Sequence, residues 1–321
     1  MRITNGMLST SFLGDMNRNL NQMQTIQKQL TSGKEFSRPS DNPFKVARSM
    51  QMYSEIYANK QYNSNIKDTI NWMDTTDSAL NQATNTLQRV RELMVSAGNA
   101  AYGSGELNAI KDEINEKVAE FGQILNTSFD GKYIFGGTDG TTKPITVTPD
   151  PVTGINTLDF TNATVPNTPP TNVNQKLSVE ISSGVTVEYN TNAVEILNYD
   201  NENKDADKEN NLGVLFNTIV KNLIPGGDKS KVPGDNLKEM DKAIDNLLKF
   251  SSKVGTIQNR MESSKSLNEE QNFNMTEILS ANEDIDLVEK TMEYATMQTI
   301  YMASLQTSAK VLQPSLIDYL R

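Results

Sequence analysis

TSGKEFSRPSDNPF, residues 31–44, sets one glycine and two prolines in a polar stretch between two segments of helical periodicity. Gly33, Pro39, Ser40, Asp41, Asn42 and Pro43 all belong to residue types that favour turns or helix starts. Gly33 can end a helix in the left-handed conformation without steric cost. Asp41 or Asn42 can cap a new helix, and Pro43 fits its first turn, where no amide donor is needed. The stretch reads as a stiff corner between a short first helix and a long second one.

Upstream of the corner, Leu13, Met16, Leu20, Met23 and Leu30 recur at steps of three and four, with Gln27 in the empty place. Downstream, Ile66, Met73, Leu80, Ala83, Leu87, Val90, Met94 and Ala97 keep one heptad register, with Trp72 beside it as expected core. Residues 43–98 would span about 80 Å as a helix, at 1.5 Å per residue. A third helix is expected through Leu107, Ile110, Ile114, Val118, Phe121 and Leu125.

The pattern changes at FDGKYIFGGTDG, residues 129–140, where Asp130-Gly131 is a hairpin signal and Tyr133, Ile134 and Phe135 favour strand. Short strands are expected at 145–148 and 158–160. Leu177, Val179 and Ile181, then Val185, Val187 and Tyr189, alternate with polar residues around Ser183-Gly184, which predicts a hairpin. The polar run NYDNENKDADKEN, residues 198–210, closes this β-rich insert.

Helical periodicity returns through Leu212, Leu215, Phe216, Ile219 and Leu223, and again from Leu237 to Met261. A final segment carries Ile278, Ala281, Ile285, Val288, Met292, Ala295, Met302, Leu305, Ala309 and Leu312, with Thr299 in the empty place and Pro314 beyond. Helices at both ends therefore enclose a β-rich middle. The predicted fold is mainly α: a rod of long antiparallel helices, a terminal coiled coil plus a helical bundle, with a small β-rich insert at the tip.

The predicted segments are three. Residues 1–37 and 279–321 form a terminal helical domain, 38–136 and 208–278 a helical rod, and 137–207 the insert. The two terminal seams, Leu13 to Leu30 and Ile285 to Leu312, pair only with each other, a marginal core for a monomer. Such ends point to partners that are copies or relatives of the same chain.

Chemistry is excluded more than it is indicated. Among 321 residues there are no cysteines and no histidines, so no thiol nucleophile, imidazole base or zinc–thiolate cluster can form. With 30 Lys and Arg against 40 Asp and Glu, the net charge is −10, which argues against nucleic acid or an anionic membrane as partner. The start, MRITNGMLSTSFLGDM, lacks the unbroken apolar run of a cleaved signal peptide.

GGTDGTTKP, residues 136–144, lacks the phosphate-loop spacing, with Pro144 after Lys143. The acidic run at 198–210 lacks the glycine and terminal glutamate of a calcium loop. Glu283, Asp284, Asp286 and Glu289 read as the solvated face opposite Ile285 and Val288. No catalytic, cofactor or metal site is expected.

LTSGKEFSRPSDNP, residues 30–43, resembles the corner after the first helix of flagellins and flagellar hook-associated proteins. The Arg38-Pro39-Ser40-Asp41-Asn42-Pro43 form looks like that of the hook-associated protein 3 group at the hook–filament junction. FDGKYIFGGTDGTTKP (129–144), VGTIQNRMESS (254–264) and MQTIYMASLQTSAKVLQPSLIDYLR (297–321) are similar to the same group. The resemblance covers roughly residues 1–143 and 208–321.

It implies a structural subunit of the bacterial flagellum, exported unfolded through the flagellar type III system to an extracellular position. The implied partners are copies of itself, the first hook-associated protein, flagellin, and an export chaperone for the C-terminal helix. Filament flagellin is the nearest alternative. A cytoplasmic coiled-coil adaptor, or a ligand-binding module in the insert, are alternatives of other classes.

Overall fold

The computed structural model describes residues 5–99, 103–150, 154–161, 170–199, 211–224 and 227–311. Most of the polar run at 198–210, and Leu312 of the predicted terminal seam, lie outside the described residues. The chain is mainly α: α1 Asn5–Ser32, α2 Pro43–Ala97, α3 Ser104–Leu125, α4 Ala193–Leu197, α5 Leu212–Leu223, α6 Leu237–Glu283 and α7 Leu287–Val311. Among the described residues, the strands pair as two-stranded antiparallel ladders: β1 Ser128–Phe129 with β2 Lys132–Tyr133, β3 Ile145–Pro149 with β4 Asn156–Phe160, and β5 Ser178–Ser182 with β6 Val185–Glu188.

The packing separates two compact units, residues 60–269 and residues 1–59 with 270–321. In the first, the predicted heptad of α2 is the core seam. Met73, Leu80, Leu87, Val90 and Met94 are fully buried, together with Ile114, Val118 and Phe121 of α3 and Phe216 and Ile219 of α5. Burying each such side chain is worth about 1.5–3 kcal/mol. Phe121 and Phe216 meet edge to face at 5.8 Å. Gly122 of α3 lies so close to β3 that an added Cβ would sit 2.3 Å from Val147.

The expected strands at 145–148 and 158–160 form one ladder, and its Ile145, Leu158 and Phe160 enter the same core as the helices. The hairpin around Ser183-Gly184 forms β5 and β6, with Gly184 at φ 73°. Ile181 and Val187 of that hairpin join Ile66 and Met261 in a second buried cluster, and Asn268 donates to the Ile181 carbonyl. Helices and strands of this unit thus share their burial.

In the other unit α1 packs against α7. The sequence reading ran a single helical seam from Ile278 to Leu312, and here the structure differs. Ile278 and Ala281 belong to α6, which ends at Glu283, and α7 starts afresh at Leu287. Ile285 lies in the break.

Candidate functional site

The corner after α1 and the break before α7 are built against one another. Gly33 caps α1 at φ 71°, its amide donating to the Gln29 carbonyl at 2.8 Å. The Asp41 carboxylate accepts from the Ser37 and Arg38 amides and so fixes the turn that holds Pro39 and Ser40. Asn42 caps α2 by accepting from the Lys45 amide, with Pro43 as the first helical residue. Opposite, the Asp286 carboxylate accepts from the Val288 and Glu289 amides and starts α7.

Two backbone hydrogen bonds join the two interruptions. Glu35 N–H donates to the Glu283 carbonyl at 2.6 Å, and Ile285 N–H donates to the Gly33 carbonyl at 3.2 Å, an antiparallel bridge of Lys34 with Asp284. Lys34 Nζ lies 2.5 Å from Glu283 Oε1 and 2.8 Å from the Tyr53 hydroxyl, which itself donates to the same carboxylate oxygen. The Glu283 bond, helped by Tyr53, holds the Lys34 ammonium well above the usual lysine range. Asn282 donates to the Lys45 carbonyl and to buried Ser49, while Phe36 and Leu279 are buried.

This corrects the reading of Glu283 as part of a wet helix face, while Asp284, Asp286 and Glu289 are exposed. Glu283 is only 6% exposed and holds the joint, and Asp286 is a helix cap. The signal was present in Asp286-Leu287-Val288-Glu289, an acidic cap with glutamate three residues on. An apolar residue at heptad place 285 masked it.

The terminal helices present two kinds of face. On α1, Phe12, Met16, Asn19, Met23, Ile26 and Leu30 form a half-buried or buried stripe, and Ile26 is 3% exposed. Of the predicted α1 seam, Met16, Leu20, Met23 and Leu30 are half-buried and Leu13 is exposed, while Phe12 and Ile26 also lie on the stripe. On α7 the half-buried stripe is Lys290, Tyr294, Met297, Tyr301, Ser304 and Ser308.

The stripe named from the sequence lies elsewhere on α7. Val288 is 69% and Met292 60% exposed, and Ala295, Met302 and Leu305 are exposed as well. Helix α7 therefore has two stripes, a mixed half-buried one on the side of α1 and an apolar one without a partner among the described residues. Exposing so many large apolar side chains along one helix is the mark of an interaction surface. No helix among the described residues is long and apolar enough to cross a membrane.

Among the described residues, helices from the N-terminal and C-terminal parts of the chain form one unit with an open apolar stripe on α7, the build of a structural protein. The chain belongs to the bacterial flagellin family: the N-terminal helical region of that family matches residues 3–139 and the C-terminal helical region residues 237–320. It is a structural subunit of the flagellum. Flagellin of Bacillus subtilis is 28% identical over 308 residues, 95% of this chain and 94% of that protein.

Among solved structures, a Vibrio parahaemolyticus protein assigned as flagellar hook-associated aligns at TM-score 0.62 with 17% identity, over 76% of this chain and all of that one. The flagellar junction protein of Legionella pneumophila aligns at TM-score 0.53 with 12% identity, over 75% of this chain and all of that one. At these identities the likeness is one of fold.

Proposed function

We propose that the protein joins the flagellar hook to the filament, as a thin layer assembled through its terminal helices. The observation that carries this reading is the open stripe of Val288, Met292, Met302 and Leu305 on a helix whose other side already packs on α1. In assembly, residues 1–37 and 279–321 polymerise, 38–136 and 208–278 form the rod, and 137–207 is the variable insert. The joint at Gly33–Pro43 and Glu283–Asp286 ties the end of α1 to the start of α7.

Its neighbours are copies of itself, the first hook-associated protein on one side and flagellin on the other. It travels unfolded through flagellar type III export, its C-terminal helix held by a chaperone on the way. The Arg38–Pro43 corner, the KYIFGG stretch at 132–137, and the fold shared with the Legionella junction protein support the junction reading.

A second reading, filament flagellin, is favoured by the match along nearly all of the Bacillus flagellin. Immunogold labelling of intact flagella separates the two. The junction reading expects label confined to the filament base, and label along the whole filament would establish the flagellin reading instead.

A further inference from the structure

The unit of residues 60–269 contains a cleft of about 740 Å³ that assembly through the terminal helices leaves without a role. Its size lies within the range of small-ligand sites, about 300–1,000 Å³. Three aromatic rings meet at its wall. Phe129 and Tyr189 each stand edge-on to Trp72, with ring centroids 6.1 Å away and interplanar angles of 85° and 90°. Asp68, Asp130 and Lys132 also line it. Asp130 is held at φ 50° in the turn between β1 and β2, the one described non-glycine residue with positive φ.

Thr69, Thr138 and Thr141 of the lining are already hydrogen-bonded within the protein. Among the described residues, the exposed side chains of Asp68, Asp130 and Lys132 make no hydrogen bond or ion pair. Trp72 lines the cleft while only 8% exposed, its indole N–H buried away from the surface. Burial raises the Tyr189 pKa, and its protonated phenol can both donate and accept.

The donor and acceptor types restrict the ligand. Ionised carboxylates only accept hydrogen bonds, while ammonium and indole groups only donate. A phosphate would meet two carboxylates, and a cationic side chain would meet Lys132. A neutral sugar ring avoids both clashes. Its hydroxyls donate to Asp68 and Asp130, its oxygens accept from Lys132, and its C–H face rests on aromatic surface. We infer that the cleft binds a neutral pyranose of a glycan. This does not rest on the junction reading and would hold for a filament subunit equally.

The chain has a single tryptophan, so its fluorescence reports on this cleft alone. Full-length protein is titrated with methyl mannopyranoside, methyl galactopyranoside, methyl glucopyranoside and N-acetylglucosamine at millimolar concentrations, and saturation-transfer NMR is recorded on the same samples. At least one sugar is expected to give a saturable response with transfer to its ring protons.

Asp68→Asn with Asp130→Asn should weaken that response about tenfold, the effect of losing one net hydrogen bond. Both positions are exposed, and asparagine tolerates positive φ, so the fold is retained. Three results would each overturn the inference: no response to any sugar by either method, an undiminished response in the double variant, or saturation by N-acetylarginine amide in place of sugar.

Discussion

Glu283 carries more of the terminal unit than its type would suggest. Its carboxylate accepts from Lys34 and from Tyr53, while its backbone carbonyl accepts from Glu35. Replacing it by alanine strands a partly exposed lysine and a half-buried phenol. We expect Glu283→Ala to lose about 1–3 kcal/mol by denaturant titration, against a few tenths for Glu289→Ala on the exposed side. The charge pair also predicts a pH response. Because the folded state raises the Lys34 pKa, its stabilisation is complete below the ordinary lysine value of about 10.4 and is lost as pH rises through the higher folded value. Wild type should therefore lose its stability margin over Lys34→Met only in strongly alkaline solution. An equal margin lost near pH 7 would remove this pair from the joint.

At the scale of elements, the buried and the open parts of the chain differed in how readily they could be read. The seam of α2 was legible because Met73, Leu80, Leu87 and Met94 are large, apolar and opposed by polar residues, so one periodicity dominates. The hairpin at 178–188 was legible from strict alternation and Ser183-Gly184. The break at 284–286 was not, since neither glycine nor proline marks it and Ile285 keeps the heptad count.

The choice of face on α7 was equally hidden. With apolar residues on both sides, periodicity yields two seams, and only α1 decides between them. Of the predicted terminal stripe, Met16 and Leu30 are half-buried beside buried Ile26, whereas Val288 and Leu305 are exposed in the single chain. The joint itself can be tested through its caps. Gly33→Ala places a Cβ at positive φ, with open space but a strained backbone, and should cost about 1 kcal/mol. Asp286→Ala removes two amide acceptors and should cost a similar amount, about 1 kcal/mol. Amide exchange should quicken first at Glu35 and Ile285, the two amides that cross the joint.

For the whole molecule, the account separates folding from assembly. Leu305 is exposed, so Leu305→Asp should leave the stability of the free chain within about 0.5 kcal/mol. In a packed interface the same charge would be unpaired and cost several kcal/mol. Cells carrying it should secrete the protein, shed flagellin and lose motility. Met297→Asp, on the stripe turned toward α1, should instead disturb the helix pair already in the free protein.

The central claim is that α1 and α7 form a unit completed by neighbouring subunits. Two helices that bury one narrow seam are marginal in water, because ordering each residue costs about 1–2 kcal/mol and burial must offset it. Amide hydrogen exchange on the free protein and on assembled flagella tests this most directly. We predict slow exchange at 66–97 and 212–223 in both states, and slow exchange at 5–32 and 287–311 only after assembly. Equal protection of the terminal helices in the free and the assembled protein would contradict the account.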